Sequence, residues 1–216
     1  MLPSGSHRDS RIIGIIPMKP ASQAKSRLSS VLEPEQRAIL SLNMFQIVLE
    51  AAVASSLNEV VILGGDCDIR AIAKNSSARW LPDEGRGLNG ELTAQVRANS
   101  ASGAASMYVP GDLALLTAVE IDQALEISEG GTLLTMCPAI GDGGTNGLVI
   151  PAQSPFQIQL GTDSFNRHKA SAARLSLPYG VVEARGFGLD LDTAEDLLAL
   201  QRMEPGTLER MLRRGD

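Results

Sequence analysis

Apolar residues in this chain arrive in short bursts separated by longer stretches with helical spacing. Ile12 to Ile16 is an apolar run stopped by Pro17, the pattern of a short buried strand. After a polar loop, Glu33-Pro34 opens a helix with proline at its first position. Leu40, Met44, Ile47, Ala51 and Ala54 then recur at three- and four-residue intervals, giving that helix one apolar face. Val60 to Leu63, closed by Gly64-Gly65, predicts a second strand, and Ile69 to Lys74 a short helix. Residues 78–81 read as a brief strand, and Pro82 to Gly90 as a Gly-rich loop. A helix over 91–99 and a strand over 105–109 follow, the latter ending in Pro110-Gly111-Asp112. Thr117 caps a helix running to about residue 128, with Glu120 placed to complete a capping box. Strands at 132–136 and 148–150 flank a loop over 141–146, and a helix lies near 163–175. Strands near 180–184 and 187–191 lead to a C-terminal helix from Thr193.

Strand–helix alternation of this kind predicts an α/β fold: one domain over 11–216, with a mostly parallel sheet and helices on both faces. Residues 1–10 fall outside the pattern and are read as a flexible tail. Ligands in such sheets sit at the carboxyl ends of the strands, so the loops after residues 16, 81, 110 and 136 share one functional edge.

Composition narrows the partners. Of 216 residues, 44% are hydrophobic and 20% charged, enough for a packed core. Aromatics are only 3%, which argues against a base-stacking platform for single strands. Asp and Glu outnumber Lys and Arg by 25 to 19, a balance that argues against nucleic acid as a partner. Cys67 and Cys137 form no CxxC pair, which points to a reducing, cytoplasmic setting. With His7 and His168 as its only histidines, the chain must bind any metal through carboxylates, and a hard cation such as magnesium suits them. No apolar stretch approaching ~18 residues stands out, so no membrane span is expected, and Met1 to Arg11 lacks the apolar core of a signal peptide.

The familiar phosphate-binding fingerprints, GxxxxGK[ST] and GxGxxG, are absent. Instead, Lys19, Lys25 and Arg27 follow the first strand within nine residues, enough cationic charge to face a triphosphate or to be an ordinary solvated loop. Asp112 ends an apolar strand, a place where turn residues are common. Asp190 and Asp192 stand two apart, which on an extended chain puts both carboxylates on one side. Such a pair repels unless a cation lies between, although Asp192 is also placed to serve the helix at Thr193. Three carboxylates from two strand ends make a reasonable magnesium cage. Gly143-Gly144-Thr145-Asn146 and Gly161-Thr162-Asp163-Ser164 carry backbone donors and hydroxyls suited to an anion or to plain turns. His168, inside the following helix, is read as a surface or capping residue and left out of the site.

Taken in order, Pro17-Met18-Lys19-Pro20, Ala24-Lys25-Ser26-Arg27-Leu28, Gly87-Leu88-Asn89 and Pro110-Gly111-Asp112-Leu113 resemble blocks of the CofC/FbiD guanylyltransferases of coenzyme F-420 biosynthesis. Gly143-Gly144-Thr145-Asn146, Gly161-Thr162-Asp163-Ser164-Phe165 and Leu189-Asp190-Leu191-Asp192-Thr193 continue the series, which spans residues 12–200. Ala114 departs from the proline usual after that central strand, and an acidic residue is often found near Gln46. The resemblance implies a single nucleotidyltransferase domain like that of the molybdopterin guanylyltransferases. It implies transfer of GMP from GTP to phosphoenolpyruvate, 2-phospho-L-lactate or 3-phospho-D-glycerate, with release of pyrophosphate. By motif, Asp112, Asp190 and Asp192 become magnesium ligands, and Thr145, Gly161 and Ser164 hold the acceptor acid. Lys19, Lys25 and Arg27 neutralise the phosphates, while Leu88 and Asn89 are expected to meet the guanine. The oligomeric state is left open, a homodimer included. A nucleotidyltransferase acting on a sugar phosphate or a pterin, and a nucleotide-binding domain without turnover, are the alternatives.

Overall fold

The computed structural model describes residues 11–141 and 143–213; the expected tail, 1–10, lies outside the described residues. β1 (Ile12–Met18) is buried over its first five residues, as a strand covered on both faces must be. It pairs in parallel with β2 (Glu59–Gly64) and β4 (Ala105–Tyr108), and β2 pairs in parallel with β3 (Arg79–Leu81). β5 (Leu134–Pro138) runs parallel to β7 (Tyr179–Val181). β6 (Thr145–Ile150) lies antiparallel between β4 and β5. The order is β3-β2-β1-β4-β6-β5-β7, so among the described residues only β6 runs against the rest. That reversal matters, because it puts the amino end of β6, Thr145 and Asn146, on the edge where the other strands end.

Helices α1 (Pro34–Ala54), α2 (Cys67–Lys74) and α4 (Ala118–Ile127) cover one face. Phe45, Val48, Ile69 and Ile121 there meet Ile12, Ile16, Ile62 and Met107 of the sheet. On the other face, Leu92 of α3 (Gly87–Ala101) and Ala172 of α5 (Ser164–Arg174) pack with Phe156 and Ile158 against Ile15, Tyr108, Met136 and Leu148. A third cluster joins Leu40 and Met44 of α1 to Leu197 and Leu200 of α7 (Ala194–Met203) and Met211 of α8 (Thr207–Met211). Leu28, Ala114 and Leu191 belong to it too. Each of these three is a near neighbour in sequence of a charged candidate residue, so one apolar anchor fixes three charged loops.

Several boundaries differ from the sequence pattern. α3 begins at Gly87, so Leu88 and Asn89 lie in its first turn and not on a loop. β6 takes in Thr145 and Asn146, where the sequence pattern predicts a loop. The expected strand over 187–191 is instead α6 (Arg185–Gly188) followed by extended chain, with a single antiparallel bridge, Leu113 to Asp190. The Gly186 N–H is taken by Glu120 Oε1 at 2.6 Å rather than by a neighbouring strand. α1 also corrects an expectation, since it holds an 18-residue window of mean hydropathy 1.4. Its buried face, Leu40, Met44, Phe45, Val48 and Ala52, is spent on the protein's own core.

Candidate active site at the carboxyl edge of the sheet

Where β1 ends, the chain drops into two short 3-10 turns, and Lys25 sits between them in the left-handed region at φ 53°. This turn aims Lys25 inward, and its side chain is only 5% exposed. Nζ donates to Asp112 Oδ2 at 2.6 Å and to Asp192 Oδ1 at 2.8 Å. Burial opposes the ammonium charge, but the two carboxylates outweigh it and hold the Lys25 pKa above its ordinary value. Burial likewise acts to raise the Asp192 pKa, yet Lys25, Arg27 and Lys19 hold it below the usual carboxylate range. Arg27 Nη1 approaches Asp192 Oδ2 at 3.7 Å. The three cations singled out in the sequence therefore act on one carboxylate.

Asp112 reaches this point because Gly111 lets the chain pass tightly over Met18; any Cβ there would collide with the methionine sulfur. Asp190 and Asp192 flank Leu191, which is fully buried, so the two acids share the opposite side of an extended segment. Asp192 has no capping duty. Thr193 is the N-cap of α7 and exchanges hydrogen bonds with Asp196 in a capping box. Asp190 Oδ1 accepts from Asn146 Nδ2 at 3.1 Å, and the same amide group donates to the Phe187 carbonyl at 2.9 Å. Asn146 thus fixes the turn that delivers Asp190. Burial, then Asp112 and Asp190, push the Tyr108 phenol up.

Among the described residues, no three His, Cys, Asp or Glu side chains gather closely enough to form a metal cage by themselves. What the structure brings together is Asp112 and Asp192 on one cationic group, with Asp190 presented alongside by Asn146. Two hard carboxylates converging on a cation fit magnesium, which is usually held by one or two carboxylates plus substrate phosphates.

The second half of the site surrounds the amino end of α5. Gly161 is exposed at φ 123°, a backbone conformation that side chains rarely adopt. The Ser164 and Phe165 amides are taken by the Gly161 and Gly143 carbonyls, at 3.1 and 3.0 Å. What Ser164 brings is therefore its hydroxyl and not a free helix terminus. That hydroxyl lies 3.2 Å from Thr145 Oγ1, and both residues are buried, at 1% and 3% exposure. Thr145 Oγ1 is also 3.0 Å from His168 Nδ1. His168 is fully buried and not at the surface, which corrects the sequence reading. The spacing of Ser164 and His168, four apart on a helix, was the available signal that they share a face. Burial, and secondarily Arg167, lower the His168 pKa to about 4, so the ring is neutral.

Asn89 makes a paired contact with the Leu160 backbone, Nδ2 to O at 3.1 Å and N to Oδ1 at 2.8 Å. Its amide is engaged in holding the segment before Gly161, which corrects the expectation that it is available to read a base. Leu88 is 44% exposed beside it. Glu91, one turn further along α3, was missed in the sequence. Its carboxylate accepts from the Glu84 and Arg86 amides at 3.0 and 2.9 Å and organises the loop after β3.

The profile of the family described as "Guanylyl transferase CofC like" matches residues 12–210. The chain belongs to that family. A relative from Chloroflexus aggregans named "Phosphoenolpyruvate guanylyltransferase" is 36% identical, covering 86% of this chain and 95% of the relative. One of the same name from Rubrobacter xylanophilus is 31% identical over 88% of this chain and 93% of its own. Other relatives are named for 2-phospho-L-lactate or 3-phospho-D-glycerate. Among solved structures, a putative nucleotide-diphospho-sugar transferase from Desulfovibrio desulfuricans G20 superposes with a TM-score of 0.76 over 94% of both chains. At 16% identity it shares the fold.

Proposed function

We propose that this protein transfers GMP from GTP to a small phosphorylated three-carbon acid, phosphoenolpyruvate being the favoured acceptor, in coenzyme F-420 biosynthesis. The observation that carries the reading is Lys25 joining Asp112 and Asp192, with Arg27 approaching Asp192, on the sheet edge that also carries the Thr145–Ser164 hydroxyl pair. Family membership supplies the reaction class, and the names of the relatives supply the acceptor.

An oxygen of the acceptor phosphate forms a bond to the α-phosphorus of GTP, the bond between that phosphorus and the bridging oxygen breaks, and pyrophosphate leaves. The acceptor phosphate is already anionic near neutral pH, so no general base is needed. That suits a site whose one histidine is buried and neutral. The barrier to overcome is repulsion between two polyanions. Lys19, Lys25 and Arg27 bind and orient the triphosphate and balance charge on the departing pyrophosphate. Asp112, Asp190 and Asp192 would hold magnesium, which when bound supplies Lewis-acid neutralisation at the reacting phosphate. Thr145, Ser164 and the exposed backbone at Gly161 receive the acceptor's anionic groups. With the Asn89 amide engaged, guanine falls to Leu88 and the backbone of the loop that Glu91 organises.

The test is incubation with GTP, magnesium and each of the three acids, with products identified by mass. A guanylylated acid and pyrophosphate are expected, most rapidly with phosphoenolpyruvate. Guanylylation of a sugar phosphate or pterin in place of all three acids would overturn the reading.

A further inference from the structure

The Thr145–Ser164 pair is wired to a buried imidazole, and the wiring fixes how many protons it can offer. The Gln159 N–H points at His168 Nε2 at 2.9 Å. A backbone amide can only donate, so Nε2 must be the bare, accepting nitrogen. In the neutral ring the proton is then on Nδ1, which donates to Thr145 Oγ1 at 3.0 Å. Thr145 and Ser164 hold two hydroxyl protons between them. One is consumed in their mutual hydrogen bond at 3.2 Å, whichever hydroxyl gives it. The other has no acceptor among the described residues, although both hydroxyls are buried.

With the opposite tautomer the count changes. Nδ1 would accept from Thr145, Ser164 would donate to Thr145, and no proton would be left. The Gln159 carbonyl is itself held by Arg167 Nη2 at 3.0 Å, and the next residue is clamped by Asn89. The Phe156 ring, 5.5 Å from the imidazole centroid to centroid, closes the pocket around it. The tautomer is therefore set by the fold.

We infer that His168 is a positioning residue that, held as the Nδ1–H tautomer by the Gln159 amide, leaves one O–H of the Thr145–Ser164 pair free to donate to an anionic oxygen of the acceptor. The inference rests on the acceptor site proposed above. It assigns His168 to acceptor affinity and not to the chemical step or to nucleotide binding. The free O–H calls for a hydrogen-bond acceptor, which on the acceptor acids proposed above is a carboxylate or phosphate oxygen.

The experiment has two arms. In protein labelled with nitrogen-15 in histidine, long-range proton–nitrogen correlations identify the tautomer, with His7→Gln separating the two rings. The expected result at neutral pH is a neutral His168 carrying its proton on Nδ1. A proton on Nε2, or an imidazolium, overturns the inference. In the kinetic arm, His168→Leu should raise the KM for the acceptor acid by about tenfold or more, with the KM for GTP within about twofold. His168→Asn, whose amide can replace the Nδ1–H donor, should recover most of that loss. In a Thr145→Val background, His168→Leu should add little further, because the hydroxyl it orients is gone. Equal rises in both Michaelis constants, or no rescue by asparagine, overturn it. Should His168→Leu fail to fold, the asparagine variant and the tautomer still decide. If the unmodified protein guanylylates none of the acids, the functional reading fails, and the tautomer measurement stands apart from it.

Discussion

Lys25 shows how much one residue's backbone can determine. Its left-handed φ of 53° turns a long cationic side chain inward, where two carboxylates compensate the loss of water. Removing one partner leaves buried charge unbalanced. Asp112→Asn is therefore expected to lower turnover by about 10²–10³-fold while preserving the fold, read as kcat beside a circular-dichroism melt. The pair also dictates a pH profile. The Asp192 pKa is depressed, so its contribution to stability is complete above the ordinary carboxylate range and is lost as pH falls through the folded value. The Lys25 pKa is raised, so its contribution is complete below the ordinary lysine value and is lost as pH rises through the folded one. The expected melting profile is a plateau between about pH 5 and pH 10 with losses on both sides. Lys25→Met should blunt both losses, and unchanged acid and alkaline limbs would show that the pair contributes nothing. These charged residues were legible in the sequence because runs such as Lys19, Lys25, Arg27 and the Asp190–Asp192 spacing carry chemistry in their composition. His168, Asn146 and Glu91 were not. His168 and Asn146 act through partners distant in sequence, Thr145 and Phe187, and Glu91 through backbone amides of the loop just before it, pairings that side-chain periodicity does not record.

At the scale of elements, the site is two strand-end loops and the amino end of α5, tied together by side chains that bond to backbone groups of neighbouring segments. Asn89 joins α3 to Leu160, Arg167 and His168 join α5 to Gln159, and Glu120 joins α4 to α6. Asn89→Ala should accordingly free the segment before Gly161 and raise the acceptor KM more than the KM for GTP. A selective effect on GTP would return Asn89 to guanine recognition. The elements themselves were mostly readable: apolar runs gave β1, β2 and β4, and the Thr117–Glu120 capping box appears as expected. The failures share a cause. At 187–191 alternating apolar residues suggest a strand, but Gly186 and Gly188 bring the backbone against Glu120 and Ile140. Tertiary contacts there override local pattern. At Gly87 a glycine stretch opens a helix rather than a loop, because Glu91 supplies acceptors for the amides just before it.

For the whole molecule, the arrangement is a rigid two-sided sheet whose third apolar cluster anchors the charged loops. Leu28, Ala114 and Leu191 bury their side chains in it within a few residues of Lys25, Asp112 and the Asp190–Asp192 pair. Stability and site geometry should therefore be coupled at that cluster and separable elsewhere. Phe45→Ala, in the core on the other side of α1, is expected to cost about 3–5 kcal/mol in denaturant unfolding with kcat nearly unchanged below the melting range. Leu191→Ala should cost both. The reversal of β6 is what lets hydroxyls and carboxylates meet, since it delivers Thr145 to the same edge as Asp112. Guanylyl transfer at that edge is the central claim, and the fate of each phosphate tests it most directly. With phosphoenolpyruvate and magnesium, label in the α-phosphate of GTP should appear in the acid product, and label in the γ-phosphate in pyrophosphate. ATP should support far less of either. Transfer of the γ label to the acid, its release as orthophosphate, or equal rates with ATP would contradict the account.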